Sequence, residues 1–418
     1  MMTLDNFITK LGEGTVVSLD SGEVAFKLAS FENNPIVKPQ DLGLTFYENG
    51  ELKVGAVFNG GAEVFQDKVI LTPRCHQGYK KGTFFDEKLG IERTCLENYI
   101  SEVWPLVSED GVHFTRFQNV VIRGDGTDHQ DFTYGIEDIR IVKCDKTYLL
   151  IGCGKINPPF KGTNADRIAI YSTEDFVNIT YHDMVESFNS RNAVPFPESV
   201  NGQYYMLLRF HPNIHLGFLE AGMDQLLNPS KHIAQWEKIY ERRSQNLLLE
   251  AGRYPHERDK IGPGTQVIKT DRGWLLIYHA VGEIGDTICK AYGLAEKIER
   301  GYSVCAALLD LDDPRKVLCR TTNPIYIPSA PYELYGNDQY SVDVPAVVFP
   351  IGVLVRKDKL ILYAGAGDKY IILLSCNLDN LVNYLCEYCK YIAWEPLLIG
   401  HIWGRGSTSN SPGLTRWC

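Results

Sequence analysis

An apolar strand, a polar turn and a second apolar strand that ends on a small or charged residue recur five times between Phe58 and Tyr384. The copies run Phe58 to Arg74, Gly135 to Cys153, Arg191 to Arg209, Lys260 to His279 and Asp343 to Gly365. A weaker second hairpin follows, as in VWPLVSEDGVHFTRF, RIAIYSTEDFVNITYH, CAALLDLDDPRKVL and YIILLSCNLDNL. Two hairpins per unit in five units predict an all-β fold, a five-bladed β-propeller with four antiparallel strands per blade. The units are unequally spaced, which suggests loops built around one site rather than a uniform binding array. The expected organisation is an N-terminal lead-in over 1–29, a propeller catalytic domain over 30–384 and a C-terminal extension over 385–418. That extension has no periodicity and the Ser/Gly/Pro composition of a disordered segment, so no catalytic role is expected of it.

Composition narrows the partners more than the fold. With 44% hydrophobic and 22% charged residues, the 418-residue chain is ordinary for a globular protein. A net charge of -10 argues against nucleic acid or an anionic membrane. No secretory signal or run of about 18 apolar residues is present, and eleven scattered cysteines read as reduced core residues. A cytoplasmic protein is expected, and a homo-oligomer is compatible with the sequence.

Charge placement is more specific. In a propeller the first strand of each blade lines the central channel, so charges at inner-strand ends point at the axis. Arg74, Asp138 with Arg140, Arg191, Arg209, Lys260 and His279 fall at such places. One of them alone is usually a solvated strand end. A recurring basic set in an acidic protein reads instead as an anion site, and Arg suits phosphate. Strict alternation puts Asp138 and Arg140 on one face and turns Glu137 to the other, which makes Asp138 the acidic candidate and Glu137 structural. Asp368 closes YAGAGD, where small residues let a ligand approach. His211 and His215 are separated by Pro212 in a strand context, and Cys386 and Cys389 form one isolated CxxC, so neither pair reads as a zinc site. The glycines of KIGPG and AGAG lack the helix and Lys-Ser/Thr of a nucleotide loop.

These segments resemble the β-mannoside phosphorylases and mannosidases of glycoside hydrolase family 130. The marks are NPIVKP, VFNGGA, GIEDIR, SRNAVPFPE, NGQYYMLLR, KIGPG, GWLLIYHAV, CAALLDLDDP, VVFPIG and YAGAGD, in order from Asn33 to about Leu381. The resemblance implies that Asp138 is the catalytic acid. It implies that Arg74, Arg191, Asn192, Arg209, Lys260, His279 and Tyr302 contact phosphate, and that Asn59, His215 and Asp368 contact sugar. The chain departs from the pattern at Ile139, where Pro is usual, at Thr265 and Gln266, and in inserts at Cys75 to Ser101 and Gly282 to Gly301.

Inverting cleavage needs an acid for the leaving oxygen and a nucleophile on the opposite face. A hydrolase supplies a second carboxylate to activate water, whereas phosphate arrives already anionic and needs cations. The expected reaction is therefore phosphorolysis of a β-mannoside to α-mannose 1-phosphate, with inorganic phosphate as co-substrate and no other cofactor or metal. In the family the acid is thought to act through the mannose 3-hydroxyl. An inverting β-mannosidase and a non-catalytic sugar-binding propeller are the alternatives.

Overall fold

The computed structural model describes residues 3–78, 80–87, 90–97, 99–124, 134–156, 166–336, 339–340 and 343–391. Five antiparallel sheets of four or five strands follow one another along the chain. The first begins with Ala62–Phe65 and Lys68–Leu71, the second with Ile136–Cys144 and Thr147–Lys155. The third begins with Arg191–Pro195 and Tyr204–Phe210, the fourth with Lys260–Pro263 and Gly273–Ile284, the fifth with Val348–Arg356 and Lys359–Ala366. All five sequence repeats thus lie in the leading hairpins of successive sheets. The leading strands of neighbouring sheets touch, first to second, second to third and third to fourth; the fifth touches strands of the fourth and, across the chain, the first.

One predicted hairpin is different. In YIILLSCNLDNL only Tyr370–Asn377 is a strand, and Leu378–Tyr388 is a helix. Asn377 caps it, its side-chain oxygen accepting from the Asn380 amide at 3.0 Å, and Leu381, Val382 and Leu385 are buried on one face at helical spacing. The fourth strand of the last sheet comes instead from Ala29–Ser30, with Ala29 opposite Ser375. The N-terminal segment is integral to the packing, since Leu4, Phe7, Ile8 and Leu11 join the core of the first and fifth sheets. At the other end, Cys389 is buried and Lys390 bridges to Cys319; residues 392–418 of the expected extension lie outside the described residues.

Apolar layers fill the spaces between adjacent sheets. Phe196, Trp236, Trp274 and Tyr278 anchor the layer of the third and fourth sheets, and Ile277, Leu308, Leu362 and Leu374 that of the fourth and fifth. Each such side chain contributes about 1.5–3 kcal/mol by leaving water. Where the leading strands converge, buried polar groups make the ties. Arg140 donates to the carbonyls of Gly264 (2.5 Å) and Gly60 (2.6 Å), joining three parts of the chain. Gln266 donates to the carbonyls of Ala62 (3.2 Å) and Val353 (2.8 Å), joining the first and fifth sheets. Ten of the cysteines are free thiols, mostly buried, and no helix among the described residues is long and apolar enough to cross a membrane.

Candidate active site

The site is assembled by a backbone irregularity that recurs in the repeat. Asn59, Asp138, Asn192 and Ala346 stand at equivalent places in VFNGG, IEDIR, SRNAV and VPAVV, and their φ angles are 54°, 53°, 57° and 58°. These are left-handed conformations, in which Asn and Asp are the best tolerated residues after Gly. At Asp138 and Asn192 the strand register breaks, between Glu137 and Arg140 and between Arg191 and Val194. A bulge of this kind cancels strict alternation. Glu137 and Asp138, adjacent in sequence, therefore present their carboxylates to the same guanidinium groups. The expectation that Glu137 faces away fails for this reason.

Both acids are buried, at 1% and 2% exposure. Arg191 donates through Nη2 to Asp138 Oδ2 at 2.7 Å and to Glu137 Oε2 at 2.9 Å. Arg74 lies with Nη1 2.9 Å from Glu137 Oε2 and Nε 3.5 Å from Asp138 Oδ1. Asn59 donates to Asp138 Oδ1 at 3.0 Å, and the Tyr99 hydroxyl donates to Glu137 Oε1. Burial alone would raise the Asp138 carboxyl, but Arg74, Arg191 and Arg140 together outweigh it and hold that group well below the usual carboxylate range. Arg140 acts here only through its charge. Its hydrogen bond to residue 138 is to the main-chain carbonyl, at 3.1 Å.

On the other side of Arg191 lies the basic set. Arg209 donates to Asn192 Oδ1 at 3.0 Å. The His279 ring lies 6.2 Å from the Tyr302 ring, near parallel, and the Lys260 ammonium is 5.1 Å from the centre of that same ring. Gly262 permits this crowding, since a Cβ there would come within 2.4 Å of His279 Cε1 and 2.8 Å of Arg209 Cδ. Burial, then the charges of Arg209 and Lys260, push His279 well below its ordinary value, so it is neutral. Burial and Arg191 bring Arg209 down to about 10, still charged near neutrality. His279 Nδ1 and Nε2 and Asn192 Nδ2 are buried with no hydrogen-bond partner among the described residues.

Asp368 follows Gly367 in a turn where both residues have positive φ, 59° and 54°. Burial, then the opposing Asp138 and Glu137 charges, raise it to about 6 despite the attraction of Arg74 and Arg191. His215 is placed elsewhere. The chain reverses between Phe210 and Asn213, so His215 pairs with Leu208 whereas Arg209 pairs with Ile214, on the opposite face of the sheet. Its ring packs 5.0 Å from Phe210. The structure thus brings together Asp138, Arg74, Arg191, Asn192, Arg209, Lys260, His279, Tyr302, Asn59 and Asp368, but not His215.

Sequence reasoning passed over Glu137, Tyr99, and the pair Lys155 and Asp166, whose Nζ and Oδ1 are 2.5 Å apart and which sits 3.7 Å from Arg191. A single channel-facing carboxylate is therefore not what the site contains. Among the described residues the site holds six cations (Arg74, Arg140, Lys155, Arg191, Arg209 and Lys260) and four carboxylates (Glu137, Asp138, Asp166 and Asp368). Two positive charges are left in excess in this set, and Arg140, Arg209 and Lys260 form no ion pair among the described residues. Thr265 and Gln266, where the chain departs from the family pattern, are buried and hydrogen-bonded to backbone.

A fold with this charge arrangement defines an enzyme-like anion site within a sheet-rich protein, and comparison with known proteins says which kind. The family model of glycoside hydrolase family 130, described as β-1,4-mannooligosaccharide phosphorylase, matches residues 27–387. The chain belongs to that family. It is 30% identical over 320 residues to the 1,2-β-oligomannan phosphorylase of Thermoanaerobacter sp. (strain X514), covering 73% of this chain and 93% of that protein. It is 27% identical over 389 residues to the β-1,2-mannobiose phosphorylase of Listeria innocua, covering 85% and 97%. The solved structure of the Listeria innocua β-1,2-mannobiose phosphorylase in complex with β-1,2-mannobiose shares the fold, with a TM-score of 0.60 at 22% identity over 86% of this chain and 99% of that one.

Proposed function

We propose that this protein is a β-mannoside phosphorylase that cleaves the glycosidic bond with inorganic phosphate, inverting the anomeric centre to give α-mannose 1-phosphate. The observation that carries this is the surplus, among the described residues, of two cations beside a paired acid. A phosphate dianion matches that surplus, and Arg209, Lys260, Asn192 and Arg191 supply donors for it. A hydrolase needs a free carboxylate base opposite the acid. Glu137 and Asp166 are tied up by Arg74, Arg191 and Lys155, and Glu137 is on the same side as Asp138.

Asp138 serves as the acid, with Asn59 and Asp368 placing the sugar. In the free protein its arginines hold it ionised, so it needs a reason to take up a proton. Phosphate supplies one: two negative charges against Arg191 oppose the field that keeps Asp138 deprotonated. Co-substrate binding and arming of the acid are thereby coupled through one guanidinium. The architecture is a five-bladed propeller, a reading supported by five meander sheets in sequence, by contacts between neighbouring sheets that run from first to fifth and back to the first, and by an N-terminal strand that completes the last sheet. Relatives that match over most of the chain act on β-1,2-mannosides, so β-1,2-mannobiose is the first substrate to try, with β-1,4-mannobiose beside it. Incubation of each with phosphate tests the reading: mannose 1-phosphate from at least one supports it, and intact substrate in both contradicts it.

A further inference from the structure

We infer that Glu137 is a positioning residue for this reaction, the carboxylate that keeps Arg74 and Arg191 in place when Asp138 takes up the proton it must deliver. The inference rests on the assignment of Asp138 as the acid. Asp138 shares both of its guanidinium partners with Glu137, and a protonated Asp138 attracts them less. Glu137 Oε2 stands 2.9 Å from Nη1 of Arg74 and 2.9 Å from Nη2 of Arg191, so one oxygen bridges both cations. Its other oxygen accepts from Tyr99, whose hydroxyl also takes a hydrogen bond from Arg74 Nη1 at 2.8 Å. None of these contacts depends on the proton of Asp138. Further charges that act on the pair or on its arginines are Arg140 and Lys155, on the same sheet, Asp166, whose Oδ2 is 3.7 Å from Arg191 Nη1, and Asp368, whose charge acts on Arg74.

The local backbone supports the assignment. Two adjacent acids reach the same arginines only because Asp138 occupies a left-handed bulge, and Glu137 is 1% exposed there. A second carboxylate in such a place is unfavourable unless its partners repay desolvation, and here the two guanidiniums and the tyrosine do so.

The test is Glu137→Gln in the full chain, with steady-state kinetics in which phosphate is varied at saturating β-1,2-mannobiose and folding is checked by thermal unfolding. Loss of this charge leaves both arginines to Asp138, which keeps it ionised, and adds to the positive surplus. The expected result is a kcat at least tenfold lower with a phosphate KM unchanged or lower. A merely structural acid gives a raised KM or an unchanged kcat in the folded variant, and either overturns the inference. If Glu137→Gln does not fold, Glu137→Asp decides: a kcat reduced severalfold at a phosphate KM within twofold of wild type supports it, and a wild-type kcat overturns it. Wild-type protein in the same assay separates the two readings. Release of free mannose without phosphate defeats the phosphorylase assignment alone, because the effect on kcat is read in either reaction.

Discussion

Arg191 holds Asp138 through a single nitrogen, Nη2, which lies 2.7 Å from Oδ2 and at the same time 2.9 Å from Glu137. Its other terminal nitrogen, Nη1, is 3.7 Å from Asp166, and its charge reaches Arg209, Lys260 and His279. The residue therefore stands between the acid and the anion set and belongs to both. Arg191→Ala is expected to lower kcat as well as raise the phosphate KM, whereas Arg209→Ala, whose bonded partner is Asn192, is expected to act on KM alone. Each lost contact to phosphate is worth about 1.5–3 kcal/mol, or roughly ten- to a hundredfold in KM. Equal effects of the two variants on kcat would contradict the division of roles.

Asp138→Asn keeps the shape of the side chain and removes its proton. Turnover is expected to fall by ~10² or more, and Tm to fall as well because Arg74 and Arg191 lose one of their two carboxylates, with Glu137 still facing both in a folded chain. Near-normal kcat in a folded variant would remove Asp138 from the role of acid.

Gly262→Ala tests how closely the basic set is packed. The added methyl meets His279 Cε1 at 2.4 Å and Arg209 Cδ at 2.8 Å, so both must move. The phosphate KM is expected to rise at least tenfold, with binding of the mannoside, measured by calorimetry without phosphate, within a few-fold of wild type. An unchanged phosphate KM would show that these two side chains are not where the anion binds.

Asp368 carries a pH signature. Its carboxyl is raised to about 6 from an ordinary value of 3.8, so the folded state binds a proton that the unfolded chain has lost between those values. Its contribution to stability is present below about pH 4 and disappears as pH rises through 6. Asp368→Asn removes that loss, and is expected to raise Tm relative to wild type at pH 7.5 but much less at pH 4.5. A variant less stable than wild type at pH 7.5 would contradict the half-buried, like-charged setting.

Much of this was legible in the chain, and the parts that were not have physical reasons. The leading hairpins follow from alternation and polar turns, and the residues at their ends do converge, because repeats place equivalent positions at equivalent depths. Glu137 was missed because alternation assumes an unbroken ladder, and nothing in IED announces that Asp138 adopts φ 53°. His215 stands apart from Arg209 because the chain reverses at His211–Pro212, which the order of motifs alone does not register. The strand Ala29–Ser30 was hidden by its two-residue length, and the helix after Asn377 by apolar residues that serve either period.

The most direct test of the central claim is cleavage of the mannoside with phosphate raised from zero. A phosphorylase gives no cleavage without phosphate, a rate that saturates as phosphate rises, and α-mannose 1-phosphate as the sole sugar product from the non-reducing end, read by phosphorus and proton NMR. Mannose released at the same rate with and without phosphate would contradict that claim.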